Sequence, residues 1–258
     1  MRALVTGGAA RLGRAMALAL GRAGFDVAVH YATSAEAAEG VAADLRAMGR
    51  RAATLPADLT DEAQVLPLVG QAAAALGGPL TLLVNNASIF DYDNIASATR
   101  ASWDRHLESN LRAPFVLTQA FAAQAPAPVP DEHGEPQAQA LVVNMIDQRV
   151  WKLTPEFMTY TIAKAGLWTL TQTAAQALAP KVRVNAIGPG PTLRGARQSE
   201  AHFARQRAAT VMQRGSNPDD ITAALLYLVG ARAVTGQMIA VDGGQHLGWQ
   251  TPDVQGVE

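Results

Sequence analysis

Short apolar runs alternate with longer segments in which apolar residues recur every three or four positions along the chain. The short runs predict strands, and the longer amphipathic segments predict helices. The predicted strands are residues 3–5, 26–30, 52–56, 80–85, 140–145, 182–187 and 237–241. The predicted helices are residues 14–23, 35–48, 61–76, 103–123, 157–178, 202–210 and 218–229.

The apolar character of the predicted strands is continuous rather than alternating. Because strands of that kind are buried on both faces, the pattern indicates a parallel sheet with helices on both sides. Strand and helix alternate to the end of the chain without a break in composition. We therefore expect one α/β domain over residues 1–258, a doubly wound parallel sheet of the Rossmann type.

Two segments interrupt this pattern. Residues 124–139 are rich in proline and charge, which predicts an exposed surface loop between a helix and a strand. Residues 190–216 follow a strand end and start with a polar stretch that is poor in helix signals. Since ligands of doubly wound sheets bind beyond the carboxyl ends of the strands, we expect this second segment to be a substrate lid.

Composition excludes several classes of protein. A formal net charge of −1 over 258 residues offers no basic field for nucleic acid or for an anionic membrane surface. The chain has no cysteine and its five histidines are scattered, so we expect no metal site, disulfide or thiol nucleophile. No apolar run approaches the ~20 residues that span a bilayer. The first strand runs straight into a glycine loop without the apolar region of a signal peptide, which predicts a cytoplasmic protein. With nucleic acid and membranes excluded as partners, we expect a small-molecule substrate.

The first predicted strand leads into the first predicted helix through a glycine loop, Thr6-Gly-Gly-Ala-Ala-Arg-Leu-Gly13. This context predicts a dinucleotide site in which a pyrophosphate meets the helix N-terminus. Gly7, Arg11, Leu12 and Gly13 are its expected contacts. Arg11 stands where a middle glycine is usual. Either its backbone is ordinary right-handed helix and its side chain is solvated, or its guanidinium reaches a phosphate.

The end of the second strand bears on the choice of cofactor. An NAD site usually has a carboxylate there for the ribose 2′-hydroxyl. Residues 30–34 contain none, which favours NADP over NAD. Because the usual arginine is also absent, Arg11, His30 and the hydroxyls of Thr33 and Ser34 would have to bind the 2′-phosphate.

Two further strand ends carry candidate cofactor contacts. Asp58 and Leu59 could bracket the adenine, although Asp58 could instead belong to an ordinary helix N-cap region. In Asn85-Asn86-Ala87, the side-chain amides can tie loop backbones together. The small side chain of Ala87 lets a ribose approach.

Tyr160 and Lys164 stand four residues apart in a predicted helix, so both side chains project from one face. An ammonium beside a phenol favours the phenolate, so we expect the pKa of Tyr160 to fall from its usual ~10 towards working pH. A phenol of that kind can give a proton to a reacting atom. Asp147 ends the strand thirteen residues before Tyr160.

Together these motifs resemble the short-chain dehydrogenase/reductase family over essentially the whole chain. The resemblance implies that Tyr160 is the proton donor, and that Lys164 tunes it and holds the nicotinamide ribose. It also implies that Asn110 supports a water relay to Lys164. The segment Pro189-Gly190 and Thr192 would meet the carboxamide of the cofactor. A homotetramer is expected on the same ground.

Four features, three of them departures from the usual pattern, resemble the pteridine reductase branch of that family. They are Arg11, Ser88 after Asn-Asn-Ala, Phe90, and Asp147 where a catalytic serine is usual. In that branch the arginine approaches phosphate and substrate, the phenylalanine stacks the pterin against the nicotinamide, and the aspartate partners the tyrosine. The dipeptide His30-Tyr31, followed by Ser34, is similar to that branch as well.

Asp147 also favours such a substrate on chemical grounds. An ionised carboxylate only accepts hydrogen bonds and would repel the oxyanion that forms during ketone reduction. It can accept from the N–H groups of a ring whose C=N nitrogen is protonated by Tyr160. Phe90 offers a flat aromatic face, and stacking of an aromatic ring on it would contribute ~0.5–1.5 kcal/mol beyond the burial of its apolar surface. As alternatives, Asp147 could be a solvated strand-end residue and Phe90 a loop anchor in the core.

Three hypotheses on function follow. The first is an NADPH-dependent reductase of a pterin-like or other cyclic C=N substrate. The second is a carbonyl or 3-oxoacyl reductase, or an alcohol dehydrogenase, in which Asp147 is protonated or displaced. The third is a dinucleotide-binding sensor without catalysis, against which the intact Asn110, Tyr160 and Lys164 argue.

Overall fold

The computed structural model describes residues 1–195 and 197–249. The strands are Arg2–Val5 (β1), Asp26–Tyr31 (β2), Ala52–Pro56 (β3), Leu82–Asn85 (β4), Val129–Pro130 (β5), Pro136–Gln137 (β6), Ala140–Met145 (β7), Val182–Pro189 (β8) and Met238–Val241 (β9). The α-helices are Arg11–Arg22 (α1), Ala35–Ala47 (α2), Glu62–Val65 (α3), Leu68–Ala75 (α4), Arg100–Leu107 (α5), Ala113–Gln124 (α6), Met158–Leu178 (α7), Glu200–Ala208 (α8) and Pro218–Gly230 (α9). None of the helices in these two ranges is long and apolar enough to cross a membrane.

Seven parallel strands form one sheet in the order β3-β2-β1-β4-β7-β8-β9. The order runs backwards from β1 to β3 and forwards from β4 onwards, so the chain changes direction between β1 and β4. The crevice beyond the carboxyl ends of the strands at such a point is where ligands bind in open α/β sheets. The predicted doubly wound α/β sheet is confirmed.

The core lies on both faces of the sheet because neighbouring strand residues point to opposite sides. Val5 packs with Met16 of α1 and Leu225 of α9 on one face. Leu4 packs with Leu68 of α4 and Phe121 of α6 on the other. Burial of both faces explains the continuous apolar runs of the sequence.

Some predicted boundaries were wrong. The predicted helix over residues 61–76 is two helices, α3 and α4, with Pro67 between them, because proline lacks the N–H that a helix interior needs. The predicted helix over residues 103–123 is α5 and α6, separated by a π-helical turn at Glu108–Arg112. The predicted loop over residues 124–139 contains the antiparallel pair of β5 and β6.

Candidate active site

The glycine loop follows β1 and brings the N-terminus of α1 to the crevice. Gly7 has a φ of 60°, a left-handed conformation that favours glycine. A Cβ atom on Gly13 would lie 2.0 Å from the carbonyl oxygen of Gly7, so only glycine allows this close approach. Among the residues that the structure describes, no side chain caps α1 at its N-cap Ala10, so the first N–H groups of this helix are available for an anion.

Arg11 occupies a left-handed backbone conformation, with a φ of 51°. The alternative of an ordinary right-handed backbone was therefore wrong. Its guanidinium donates to the carbonyl oxygens of Leu193 and Arg194, at 3.2 and 3.1 Å. Arg11 thus joins the glycine loop to the segment 190–216 that we expect to be a lid.

Side-chain hydrogen bonds join the glycine loop to the end of β4. The Thr6 hydroxyl oxygen accepts from the backbone N–H groups of Asn86 and Ala87, at 2.9 and 3.0 Å. The Asn86 amide donates to the carbonyl oxygens of Thr6 and Gly7. The two loops therefore form one wall of the crevice, as the Asn85-Asn86-Ala87 motif predicts.

His30 is buried and holds the glycine loop through a hydrogen bond to the Gly7 backbone. Its Nδ1 accepts from the Gly7 N–H at 3.0 Å, which places the ring proton on Nε2, 3.0 Å from the Ala57 carbonyl oxygen. Burial lowers the pKa of His30, against the opposing effect of the Ala57 carbonyl. The ring is neutral with both nitrogens engaged, so the prediction that His30 donates to a 2′-phosphate was wrong.

The other candidates near the adenosine end differ in placement. Asp58 lies at the cleft, where hydrogen bonds from the Thr60 N–H and hydroxyl lower the pKa of its carboxyl group. Tyr31 packs against the core and Ser34 precedes α2, and neither lines the cleft. Asp61 caps α3 and Asp58 accepts from Thr60 just before it, so Asp58 belongs to the N-cap region of α3 and also lines the cleft; its contact with adenine stays a prediction.

Asp147, Tyr160 and Lys164 meet at the carboxyl end of β7. The Tyr160 hydroxyl donates to Asp147 Oδ2 at 3.0 Å, and the Arg149 N–H donates to Asp147 Oδ1 at 2.8 Å. Lys164 Nζ donates to the carbonyl oxygen of Met145 at 2.8 Å and lies 5.7 Å from the centre of the Tyr160 ring. The alternative of a freely solvated Asp147 was wrong.

Burial and the charges of this cluster reverse the expectation for the pKa of the tyrosine. Burial, followed by the charge of Asp147 and its hydrogen bond, raises the pKa of Tyr160 well above its usual value. Burial also raises the pKa of Asp147 and lowers that of Lys164 to about 8. The prediction of a lowered tyrosine pKa was wrong, because burial and then the neighbouring carboxylate of Asp147 both favour the neutral phenol. Tyr160 is a protonated phenol at neutral pH.

Phe90 lies at the mouth of the cleft and is 42% exposed, so the alternative of a core anchor was wrong. Its ring stacks on Phe157 with the centroids 4.3 Å apart and meets Tyr160 edge-on at 4.6 Å. Phe157 has a φ of 56°, a strained conformation for an aromatic residue that is typical of functional sites. Arg197 donates to the Phe90 carbonyl oxygen from the segment 190–216.

Asn110 lies in the π-helical turn and is fully buried. Its amide holds the backbone of Ile89 at two points, accepting from the N–H at 2.9 Å and donating to the carbonyl oxygen at 2.8 Å. This clamp positions Ser88 and Phe90 on either side of Ile89. The predicted water relay through Asn110 stays a prediction.

The segment after β8 starts at the predicted Pro189-Gly190 turn. A Cβ atom on Gly190 would lie 2.6 Å from the Asp242 Cα atom, and the Thr192 hydroxyl donates to the Gly190 carbonyl oxygen. Arg207 of α8 joins the two ends of the segment 190–216. One guanidinium nitrogen donates to the Pro191 and Ser216 carbonyl oxygens, at 2.9 and 2.6 Å, and the other to Gly215.

One cleft of about 530 Å³ brings most of the predicted site residues together. The predicted residues that line it are Gly7, Arg11, Leu12, Gly13, His30, Asp58, Leu59, Asn86, Ala87, Ser88, Phe90, Asp147, Tyr160, Lys164, Pro189, Gly190 and Thr192. The sequence analysis missed Ile89, Ser109, Met145 and Ile146, which also line it. Met145 and Ile146 directly precede Asp147 at a strand end, a signal that could have identified them.

A glycine loop at the switch point and a tyrosine–lysine pair at the neighbouring strand end define a short-chain dehydrogenase/reductase. A family model described as Enoyl-(Acyl carrier protein) reductase matches residues 7–246. The chain belongs to the short-chain dehydrogenase/reductase family, whose members are NAD(P)-dependent oxidoreductases.

Individual relatives cover nearly the whole chain. The crystal structure of FolM alternative dihydrofolate reductase 1 from Brucella suis in complex with NADP has a TM-score of 0.90 and 44% sequence identity, over 98% of each chain. A short chain dehydrogenase from Burkholderia cenocepacia J2315 in complex with NADP has a TM-score of 0.85 and 33% identity, over 95% of this chain and 97% of that chain. Uncharacterized oxidoreductase MT0954 from Mycobacterium tuberculosis is 36% identical over 248 residues, 94% of this chain and 90% of that protein.

Proposed function

We propose that the protein is an NADPH-dependent reductase of a pterin-like substrate, a dihydropteridine or a related ring with a cyclic C=N bond. The observation that carries this proposal is the hydrogen bond between Tyr160 and Asp147, beside the exposed ring of Phe90. The similarity to FolM alternative dihydrofolate reductase 1 supports it, since dihydrofolate contains a dihydropterin ring.

The residues of the cleft fit a dinucleotide. The uncapped N-terminus of α1 offers N–H groups to a pyrophosphate, and Gly7 and Gly13 leave room for it. Ala32 lines the cleft where an NAD site would have a carboxylate, which favours NADPH. NADPH, when bound, would supply a hydride. Among the predicted partners of its 2′-phosphate, Arg11 lines the cleft, whereas Thr33 and Ser34 do not.

The catalytic residues fit reduction of a C=N bond. Tyr160 keeps its proton at neutral pH and can give it to the ring nitrogen as the neighbouring carbon gains hydride. Asp147 can accept from ring or amino N–H groups, a role that serine fills less well because a hydroxyl is a weaker acceptor than a carboxylate. Phe90 would stack on the flat ring and hold it over the phenol.

The decisive experiment compares NADPH and NADH oxidation with dihydrobiopterin, dihydromonapterin, dihydrofolate and a small ketone panel. We expect turnover of a dihydropterin with NADPH. Tyr160→Phe should bind NADPH as the wild type does and lose on the order of 10²-fold or more in kcat. Tyr227→Phe, on the exposed face of α9, is the matched control. Turnover of ketones alone, or wild-type kcat in Tyr160→Phe, contradicts the proposal.

Carbonyl reduction is the second candidate, and the raised pKa of Asp147 favours it. A protonated Asp147 could donate to a carbonyl oxygen in place of serine. In that case kcat on ketones would fall as pH rises through this pKa, whereas C=N reduction with ionised Asp147 would not fall there. The homotetramer and the cytoplasmic location stay predictions.

A further inference from the structure

Buried hydrogen bonds connect α7, which carries Tyr160, with α5 and with the loop after β4. Asp93, His106 and Thr159 are 2%, 0% and 1% exposed, respectively. Thr159 donates its N–H and its hydroxyl to the two carboxylate oxygens of Asp93. His106 Nδ1 lies 2.7 Å from the Thr159 hydroxyl oxygen, and His106 Nε2 lies 3.0 Å from the Asp91 backbone nitrogen. We call these three side chains the Thr159 network.

The direction of every bond in the network is fixed by its chemistry. A backbone N–H can only donate, so His106 Nε2 must accept from Asp91 and carry no proton. The proton of the neutral ring is therefore on Nδ1 and is donated to the Thr159 oxygen. The Thr159 hydroxyl proton then goes to Asp93. The three donors of the network are the His106 Nδ1–H and the Thr159 N–H and hydroxyl, and each has its partner within it.

Both ends of the network adjoin residues of the cleft. Thr159 directly precedes Tyr160, and Asp91 directly follows Phe90. The His106 ring also meets the Tyr160 ring edge-to-face, with the ring planes at 73° and the centroids 6.1 Å apart. The network therefore ties the first turn of α7 to the loop after β4 at the two residues that face the substrate.

We propose that Asp93, His106 and Thr159 are positioning residues that hold the Tyr160 hydroxyl and the Phe90 ring at the separation that proton transfer requires. This inference rests on the proposed role of Tyr160 as proton donor. A displacement of about 1 Å at such a pair can cost on the order of 10²-fold in rate. The network acts through Tyr160 and touches neither substrate nor cofactor.

The network depends on pH through His106. Burial lowers the pKa of His106, partly opposed by the charges of Asp93 and Asp91, while Arg105 lowers it further. Tyr160 is the other titratable group that faces the ring, from α7. A second proton on the ring removes the acceptor of the Asp91 N–H. The network is therefore intact above the His106 pKa and is lost as pH falls through it.

The test uses Thr159→Val, which keeps the side-chain shape and removes the hydroxyl. At about pH 7.5, where a histidine of lowered pKa is neutral, we expect kcat to fall about tenfold or more. The KM for NADPH should stay within about twofold, because the network is remote from the glycine loop. Thr159→Ser, which keeps the hydroxyl, should restore most of kcat. Thr118→Val is the matched control, since Thr118 is also buried and its hydroxyl donates to the Pro114 carbonyl oxygen within α6.

A pH profile separates positioning from simple support of the fold. The ratio of wild-type to Thr159→Val kcat should shrink as pH falls, since the wild type then loses the same network. A constant ratio, or a kcat of Thr159→Val within about twofold of the Thr118→Val control, overturns the proposal. If Thr159→Val does not fold, nitrogen NMR of wild-type His106 decides, because the proposal requires the proton on Nδ1 and fails if it is on Nε2.

The assay uses whichever substrate the wild type reduces fastest. Wild-type turnover of ketones alone contradicts the pterin proposal, and the effect of Thr159→Val on that turnover still tests the network. The two proposals can therefore fail separately.

Discussion

At the scale of single residues, Asp147 decides how the tyrosine works. Its Oδ2 accepts a hydrogen bond from the Tyr160 hydroxyl at 3.0 Å, and its negative charge raises the pKa of that hydroxyl. The same carboxylate favours the charged form of Lys164, whose pKa burial lowers to about 8. A serine at this place would do neither. The substitution therefore keeps Tyr160 a phenol and Lys164 an ammonium to higher pH.

Asp147→Asn should shift the alkaline limb of the pH–rate profile to lower pH. Without the carboxylate, the pKa values of both Tyr160 and Lys164 fall, so the proton donor and the ammonium are lost earlier as pH rises. The measurement is kcat against pH with saturating substrate. An unchanged limb, or one that moves to higher pH, would show that Asp147 does not set these two pKa values.

At the scale of elements, α8 closes the segment 190–216 into a loop with both ends held. Arg207 binds carbonyl oxygens at Pro191, Gly215 and Ser216 with one guanidinium. A Cβ atom on Gly215 would lie 2.2 Å from the Pro191 carbonyl oxygen, so the two ends touch. A lid that moves as one unit about this closed base stays a prediction.

Arg207→Met keeps the length of the side chain and removes its donors. We expect the KM for the substrate to rise about tenfold, which corresponds to ~1.4 kcal/mol of lost binding. Cleavage of the segment by protease should also become faster. Arg205→Met, on the exposed face of the same helix, is the control. Equal KM values in the two variants would mean that the segment does not cover the substrate.

The sequence predicted the strands and most residues of the site, but it did not predict the π-helical turn or the pKa of the tyrosine. Apolar runs predicted all seven strands of the large sheet because burial on both faces leaves a strong pattern. The π-helical turn was not predictable, because Glu108–Arg112 contains no proline or glycine that would mark a break in the helix. Motif spacing brought Asp147, Tyr160 and Lys164 to one cleft. It could not give the tyrosine pKa or the partners of His30, which depend on burial and on contacts between distant segments.

At the scale of the whole molecule, two buried neutral histidines make folding sensitive to acid. His30 holds β2 to the glycine loop, and His106 holds the loop after β4 to α7. Burial lowers the pKa of each below the value of the unfolded chain. Each therefore contributes stability that is present above the unfolded pKa of about 6.5 and is lost as pH falls through the folded pKa.

The Tm should accordingly fall as pH decreases below about 6.5. Each histidine should lower the free energy of unfolding by up to ~1.4 kcal/mol per pH unit. His30→Asn should have a lower Tm at neutral pH but a flatter dependence on pH, because one titrating group is gone. Calorimetry of both proteins across this range gives the comparison. Parallel slopes would show that His30 titrates alike in the folded and unfolded chains.

The hairpin of β5 and β6 is a suitable site for attaching the protein to a surface. It lies beside Met1 and the amino end of β7, whereas the cleft opens at the carboxyl ends of the strands. Its tip at His133 and Gly134 is exposed. If the enzyme is attached to an electrode or a bead through this tip, the cleft of each molecule should face the solution, because the sheet lies between the attachment point and the cleft.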